Sequence, residues 1–167
     1  DANNKAVLNA SGLTISQSGA GVAKFAGTTT IGNTANEHLL LNTSGLAIKD
    51  GDLYVGEVHR IIRFKNVDTQ LKDPKFDVVY NALPSDRHHG WKFLRFAPTG
   101  ELIIPVGVPC NICAEDERYG RIFALDVETK QIKTIAQGVR NSVGFDFHPS
   151  TQALWFSDNG RDMMGDD

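Results

Sequence analysis

A three-residue apolar word recurs at long, nearly even intervals: Leu53-Tyr54-Val55, Leu102-Ile103-Ile104 and Leu154-Trp155-Phe156. Each follows a turn signal, namely Lys49-Asp50-Gly51, Pro98-Thr99-Gly100 and Pro149-Ser150-Thr151. The spacings are 49 and 52 residues. A repeat of roughly 50 residues that holds several short strands is the pattern of β-propeller blades. The first unit predicts strands near 45–48, 53–58, 60–65 and 76–82. The second predicts strands near 91–97, 102–107, 121–127 and 131–137. A third begins near 143–148 and 153–158. Alternation along Arg121-Ile122-Phe123-Ala124-Leu125-Asp126-Val127 suits a half-buried strand. The expected fold is therefore all-β, with about two and a half blades of a propeller over residues 46–167.

Residues 1–45 are of another character. They carry only Asp1, Lys5, Lys24 and Glu37 as charged side chains, a single aromatic (Phe25) and no proline. Val7–Ile15 and Leu40–Ile48 match at an offset of 33 residues. This reads as a short β-repeat segment with Ser-Gly and Gly-Asn turns, too poor in large side chains to bury a core alone. Three copies winding together would cover its apolar faces and strand edges, so a homotrimer is an expectation. The other expectation for this segment is a plain edge-strand extension. The two regions meet at Ser44–Gly51, which suits both patterns.

Charge and length narrow the functional classes. The net charge of −3 over 167 residues offers no polyanion-binding surface, so no nucleic-acid partner is expected. No apolar run approaches the ~18 residues a membrane span requires. The chain opens on Asp1 rather than Met, as a processed protein or a piece of a larger one would. Cys110 and Cys113 form one C-x-x-C pair, too few ligands for a structural zinc site; a staple, two free thiols and a redox role remain open.

Three polar clusters lie at predicted strand ends: His88-His89-Gly90-Trp91, Arg140-Asn141-Ser142-Val143-Gly144 and Ser157-Asp158-Asn159-Gly160-Arg161-Asp162. An imidazole titrates near neutrality and suits proton abstraction. A guanidinium suits carboxylate or quinone oxygens. Each cluster also has a plainer reading. The His pair could cap a strand, Arg140-Asn141 could form a loop ion pair and turn, and Asp162–Asp167 could be a solvated end. Trp91 and Trp155 are expected in the core, His148 in a turn and His59 on the surface.

Together these words resemble the soluble sugar dehydrogenases that use pyrroloquinoline quinone (PQQ), close to the sorbosone and aldose dehydrogenase branch, from about Gly45 to Asp167. Residues 1–45 resemble the β-repeats of trimeric phage tail fibres. The first resemblance implies a six-bladed propeller and hydride transfer from C1 of a sugar to PQQ. It implies His89 as the catalytic base, with Arg140, Asn141 and Asn159 on the cofactor. It also implies calcium held by the backbone carbonyls of Gly160 and Arg161. Pro109-Cys110 stands where related glucose dehydrogenases carry a glutamine, as in the sorbosone-like branch. The cations that later blades contribute have no counterpart within these 167 residues. The partner implied is a sugar or cell-surface carbohydrate, and the location periplasmic or extracellular. The alternative is a non-catalytic, trimeric virion protein whose propeller piece serves as a scaffold or carbohydrate-binding head.

Overall fold

The computed structural model describes residues 5–9, 12–16, 29–31, 39–41, 45–111, 113 and 116–162, and for the strands before residue 45 their backbone pairing alone. Fourteen strands and one 3-10 turn (Val67–Thr69) make up these elements. β1 (Lys5–Asn9) pairs with β2 (Gly12–Ser16), and β3 (Thr29–Ile31) with β4 (Leu39–Leu41), both antiparallel. The turns expected in this region lie outside the described residues. So do Met163–Asp167 of the acidic tail.

From Leu46 the chain forms two four-stranded meanders. The first runs through β5 (Leu46–Lys49), β6 (Asp52–Gly56), β7 (Ile61–Phe64) and β8 (Asp77–Tyr80). The second runs through β9 (Arg95–Phe96), β10 (Leu102–Val106), β11 (Arg121–Leu125) and β12 (Ile132–Gln137). A hairpin of β13 (Phe145–Phe147) and β14 (Leu154–Phe156) follows. Asp50 and Gly51 both take positive φ (53° and 83°) between β5 and β6, as a two-residue hairpin turn demands.

The repeat at offset 33 does not keep its partners. β2 pairs back onto β1, whereas the matching strand β5 pairs forward with β6. At Gly45 the backbone comes close to the stretch before β9: a Cβ there would sit 2.4 Å from the Lys92 carbonyl oxygen. The start of β5 is shaped to lie against the second sheet.

The layers stack through their alternating faces. Tyr54 and Ile61 of the first sheet meet Leu102, Ile104 and Leu125 of the second in one buried cluster. The opposite face of the second sheet, through Ile103, Ile122 and Ala124, meets Phe145 of the hairpin. Phe93 and Phe145 pack edge to face with centroids 5.0 Å apart.

β9 is shorter than the sequence predicts. It pairs with Leu102 and Ile103 only, and in the same register Pro105 would face Phe93. A proline has no N–H for a ladder, so pairing stops there. The freed stretch Trp91–Leu94 buries Lys92 and Leu94 instead. Trp91 and Trp155, expected in the core, are 65% and 68% exposed. The architecture is all-β and antiparallel, and the described sheets are open rather than closed into a ring.

Candidate functional site

The three polar clusters converge at one end of the stacked strands, where β9 begins, β10 ends, β13 begins and β14 ends. The turn before β9 is tight. Gly90 N donates to the Arg87 carbonyl at 3.1 Å, and His89 takes a left-handed φ of 50°. Neighbours leave no room for a side chain at two glycines. A Cβ on Gly90 would lie 2.4 Å from the Asp86 carbonyl oxygen, and one on Gly107 would lie 2.6 Å from the His89 Cβ. The Tyr119 hydroxyl donates to Asp86 and ties this turn to the 116–120 loop. Below it, the Lys92 ammonium is 1% exposed and donates to the Gly90 carbonyl at 2.8 Å. Burial lowers the Lys92 pKa to about 8.

His89 is half-buried, its ring 4.0 Å from that of His88. Its Nδ1 lies 2.8 Å from the Val108 carbonyl oxygen. A carbonyl can only accept, so Nδ1 carries the hydrogen and the neutral ring keeps its lone pair on Nε2. Burial is the main influence that pushes the His89 pKa below its ordinary value. The bond to Val108 opposes this, the charges of His88 and Arg140 reinforce it, and Asp162 opposes it again. The imidazole is thus held neutral with its basic nitrogen facing away from its anchor.

Arg140 is the hub of the other two clusters, its side chain only 11% exposed. Its Nε donates to the Asn111 carbonyl (3.2 Å), Nη2 to Asn111 Oδ1 (2.9 Å) and Nη1 to the Asn159 carbonyl (3.1 Å). Asp162 lies 3.4 Å from Nη2. The Asp158 carboxylate accepts the backbone N–H groups of Arg140 (3.1 Å) and Asn141 (2.7 Å). Two backbone bonds extend the hairpin pairing toward the site: Ser157 N to Gly144 O (3.0 Å) and Asn159 N to Asn141 O (3.1 Å). Val108 N donates to the Arg140 carbonyl at 2.9 Å, which joins the arginine cluster to the strand that anchors His89.

His89, Arg140, Asn141 and Asn159 are therefore gathered through one backbone network. Arg140 spends most of its donors on the protein itself. One Nη1 hydrogen and the side-chain amides of Asn141 and Asn159 are uncommitted among the described residues. These neutral and cationic donors are of the type that binds the oxygens of a planar, carboxylate-bearing quinone. Calcium fits less well. Gly160 and Arg161 are exposed, and Asp158 is occupied by two backbone amides. Asp162 is paired with a guanidinium, and no group of three His, Cys, Asp or Glu side chains gathers among the described residues. Calcium takes six to eight oxygens, so these residues alone do not make its site.

The sequence reading passed over two of the site's residues. Asn111, within the Cys110–Cys113 disulfide loop, bonds both Arg140 and Asp162. Lys92 carried only its place three residues after His89, a weak signal for a group on a buried stretch. His148 lies elsewhere, its Nδ1 accepting the N–H groups of Ser150 and Thr151 in the β13–β14 turn.

No family model matches the chain. It is 32% identical over 133 residues to a protein of Borreliella burgdorferi described as uncharacterized, covering 73% of this chain and 35% of that protein. A calcium structure and an iodide structure of Trichoderma reesei carbohydrate-active enzymes Family AA12 are similar in fold. Each has a TM-score of 0.59 and 21% identity, over 95% of this chain and 46% of theirs. The chain spans about a third of the length of its curated relative and less than half of those structures. These findings correct the resemblances drawn from sequence. Neither the soluble PQQ sugar dehydrogenases nor the tail-fibre repeats are matched by a family model, and the similar solved structures belong to Family AA12. No helix among the described residues is long and apolar enough to cross a membrane.

Proposed function

We propose that this chain is part of a carbohydrate-oxidising enzyme in which His89 takes the proton of a sugar hydroxyl. The observation that carries the reading is the fixed tautomer of His89: Nδ1 is committed to the Val108 carbonyl, which leaves the lone pair on Nε2, and Val108 N is in turn bonded to the Arg140 carbonyl. A base needs its proton-accepting nitrogen free at working pH, and burial shifts this ring toward its neutral form. The fold shared with carbohydrate-active enzymes supports the substrate class.

A quinone of the PQQ type, when bound, supplies a two-electron acceptor for the hydride from sugar C1. His89 Nε2 would take the C1 hydroxyl proton in that oxidation, which converts a cyclic aldose to its lactone. Arg140, Asn141 and Asn159 would hold the acceptor through their uncommitted donors. The two meanders and the hairpin are read as successive sectors of a propeller, supported by their face-to-face stacking. The disulfide favours a periplasmic or extracellular location, because such bonds persist in oxidising compartments.

The test is a titration of PQQ absorbance with and without calcium, followed by sugar-dependent dye reduction. Saturable quinone binding is expected, with turnover abolished in His89→Ala and an acid limb below the ordinary histidine range. Absence of quinone binding in a well-folded chain overturns the reading. Light scattering on the same sample tests the expected homotrimer.

A further inference from the structure

The loop closed by Cys110 and Cys113 has a role that neither the strands nor the proposed chemistry uses directly. Asn111 sits inside it, half-buried, and makes four bonds to two other loops. Its backbone carbonyl accepts Arg140 Nε at 3.2 Å. Its Oδ1 accepts both Arg140 Nη2 (2.9 Å) and the Asp162 N–H (3.0 Å), and its Nδ2 donates to the Asp162 carbonyl at 3.3 Å.

Chemistry fixes the way this amide points. A guanidinium and a backbone N–H can only donate, so the oxygen must face both, and the nitrogen then faces the carbonyl of Asp162. Both lone pairs of Oδ1 are used. Aspartate in its place could accept but not donate, and would set a charged oxygen against that carbonyl. A longer side chain would push the 158–162 loop away.

The bonds continue toward the base. The Arg140 guanidinium is held by Asn111, the Arg140 carbonyl accepts Val108 N at 2.9 Å, and the Val108 carbonyl holds His89 Nδ1 at 2.8 Å. Arg140 also neighbours His89 as a charge, together with His88 and Asp162. From this arrangement we infer that Asn111 is a positioning residue for the proposed base, acting through Arg140, with the disulfide as its frame. This rests on the functional reading above.

The test is a double-mutant cycle read by nuclear magnetic resonance on the full chain with labelled histidine. His89 is assigned by the loss of its signal in His89→Gln. Four proteins are titrated: the parent, Asn111→Ala, Arg140→Met and the double variant. Asn111→Ala is expected to raise the His89 midpoint, because the cation beside the ring is no longer held in place. In the Arg140→Met background that rise is expected to be absent, any remaining shift being a downward one from release of Asp162, which Asn111 also holds. An unmoved midpoint in Asn111→Ala, or an equal shift in both backgrounds, overturns the inference. If Asn111→Ala does not fold, Asn111→Ser, which keeps a short acceptor, enters the same cycle with the same two outcomes. The titration needs neither quinone nor sugar, so its failure is distinct from failure of the functional reading. Where the chain turns over sugar, Asn111→Ala should lower kcat by about 10²-fold with KM little changed, the pattern of a misplaced base.

Discussion

At the scale of single residues, the site depends on positions where a side chain is missing as much as on those where one is present. Gly107 lies under His89, and a methyl group there would meet the His89 Cβ at 2.6 Å and the Arg140 carbonyl oxygen at 3.1 Å. Gly107→Ala should therefore displace the base and cost about 1–3 kcal/mol of stability. Turnover should fall by about 10²-fold, and a kinetic assay beside a denaturation curve would check both. Lys92 allows a second prediction. Its pKa is lowered from 10.5 to about 8 by burial, so between those values the unfolded chain binds the proton that the folded chain has released. Stability attributable to Lys92 must then rise with pH from about 8 to 10.5, by on the order of 3 kcal/mol. Below pH 8 the buried ammonium is a full penalty, and Lys92→Met, which keeps the length and drops the charge, should be more stable than the parent. Denaturation of both proteins at pH 7 and pH 10 measures this. A stability difference that stays constant between those two pH values would show that Lys92 is not the source. Neither residue could be read from the sequence. A lysine shortly after a His pair looks like surface and a glycine at a strand end looks like a turn, and only packing shows one buried and the other crowded.

At the scale of elements, much was legible because turns and strands are local. The word Lys49-Asp50-Gly51 places a tight hairpin, and the chain pairs Lys49 with Asp52 around it. The strands expected over 121–127 and 131–137 appear as β11 and β12. Predictions failed where a distant partner decides. β9 was expected to run over 91–97, yet its ladder ends at Arg95 because the opposite strand carries Pro105. Trp91 and Trp155 look like core residues by type, but their exposure depends on which layer lies over them. The loop after β10 shows the same limit. Two cysteines at C-x-x-C spacing leave a staple, free thiols and a redox role open, and the disulfide is settled only by the fold. A four-residue covalent loop removes about 2 kcal/mol of unfolded-chain entropy. Replacing Cys110 and Cys113 together with serine should lower stability by about that amount while the far-UV spectrum stays that of a β protein. A thermal melt of the double variant checks the first expectation. A change of secondary structure would show that the loop supports more than Asn111.

At the scale of the whole molecule, the three layers are unequal, and the site straddles the inequality. The second sheet lies in the middle: Leu102, Ile104, Ile122 and Leu125 are fully buried between its neighbours. The last layer is a hairpin of two short strands, with Trp155 and Phe156 exposed. Two-stranded sheets hold marginally by themselves and depend on what they pack against. Yet this hairpin carries Asp158, which accepts the N–H groups of Arg140 and Asn141, and Asn159, whose carbonyl receives the Arg140 guanidinium. His89, by contrast, is anchored to Val108 at the end of the central sheet. The base and the cation beside it therefore rest on parts of the molecule with different stability. Hydrogen exchange should show this difference directly. The amides of β10 and β11 are expected to exchange slowest. Those of Arg140 and Asn141 should exchange faster, at the rate of β13 and β14, because the same carboxylate and hairpin protect them. A ligand that bridges the two halves of the site would slow Arg140 and Asn141 toward the rate of the central sheet. Equal protection at all these positions without ligand would mean that the hairpin and the sheets open as one unit. The site would then be fully formed before anything binds to it.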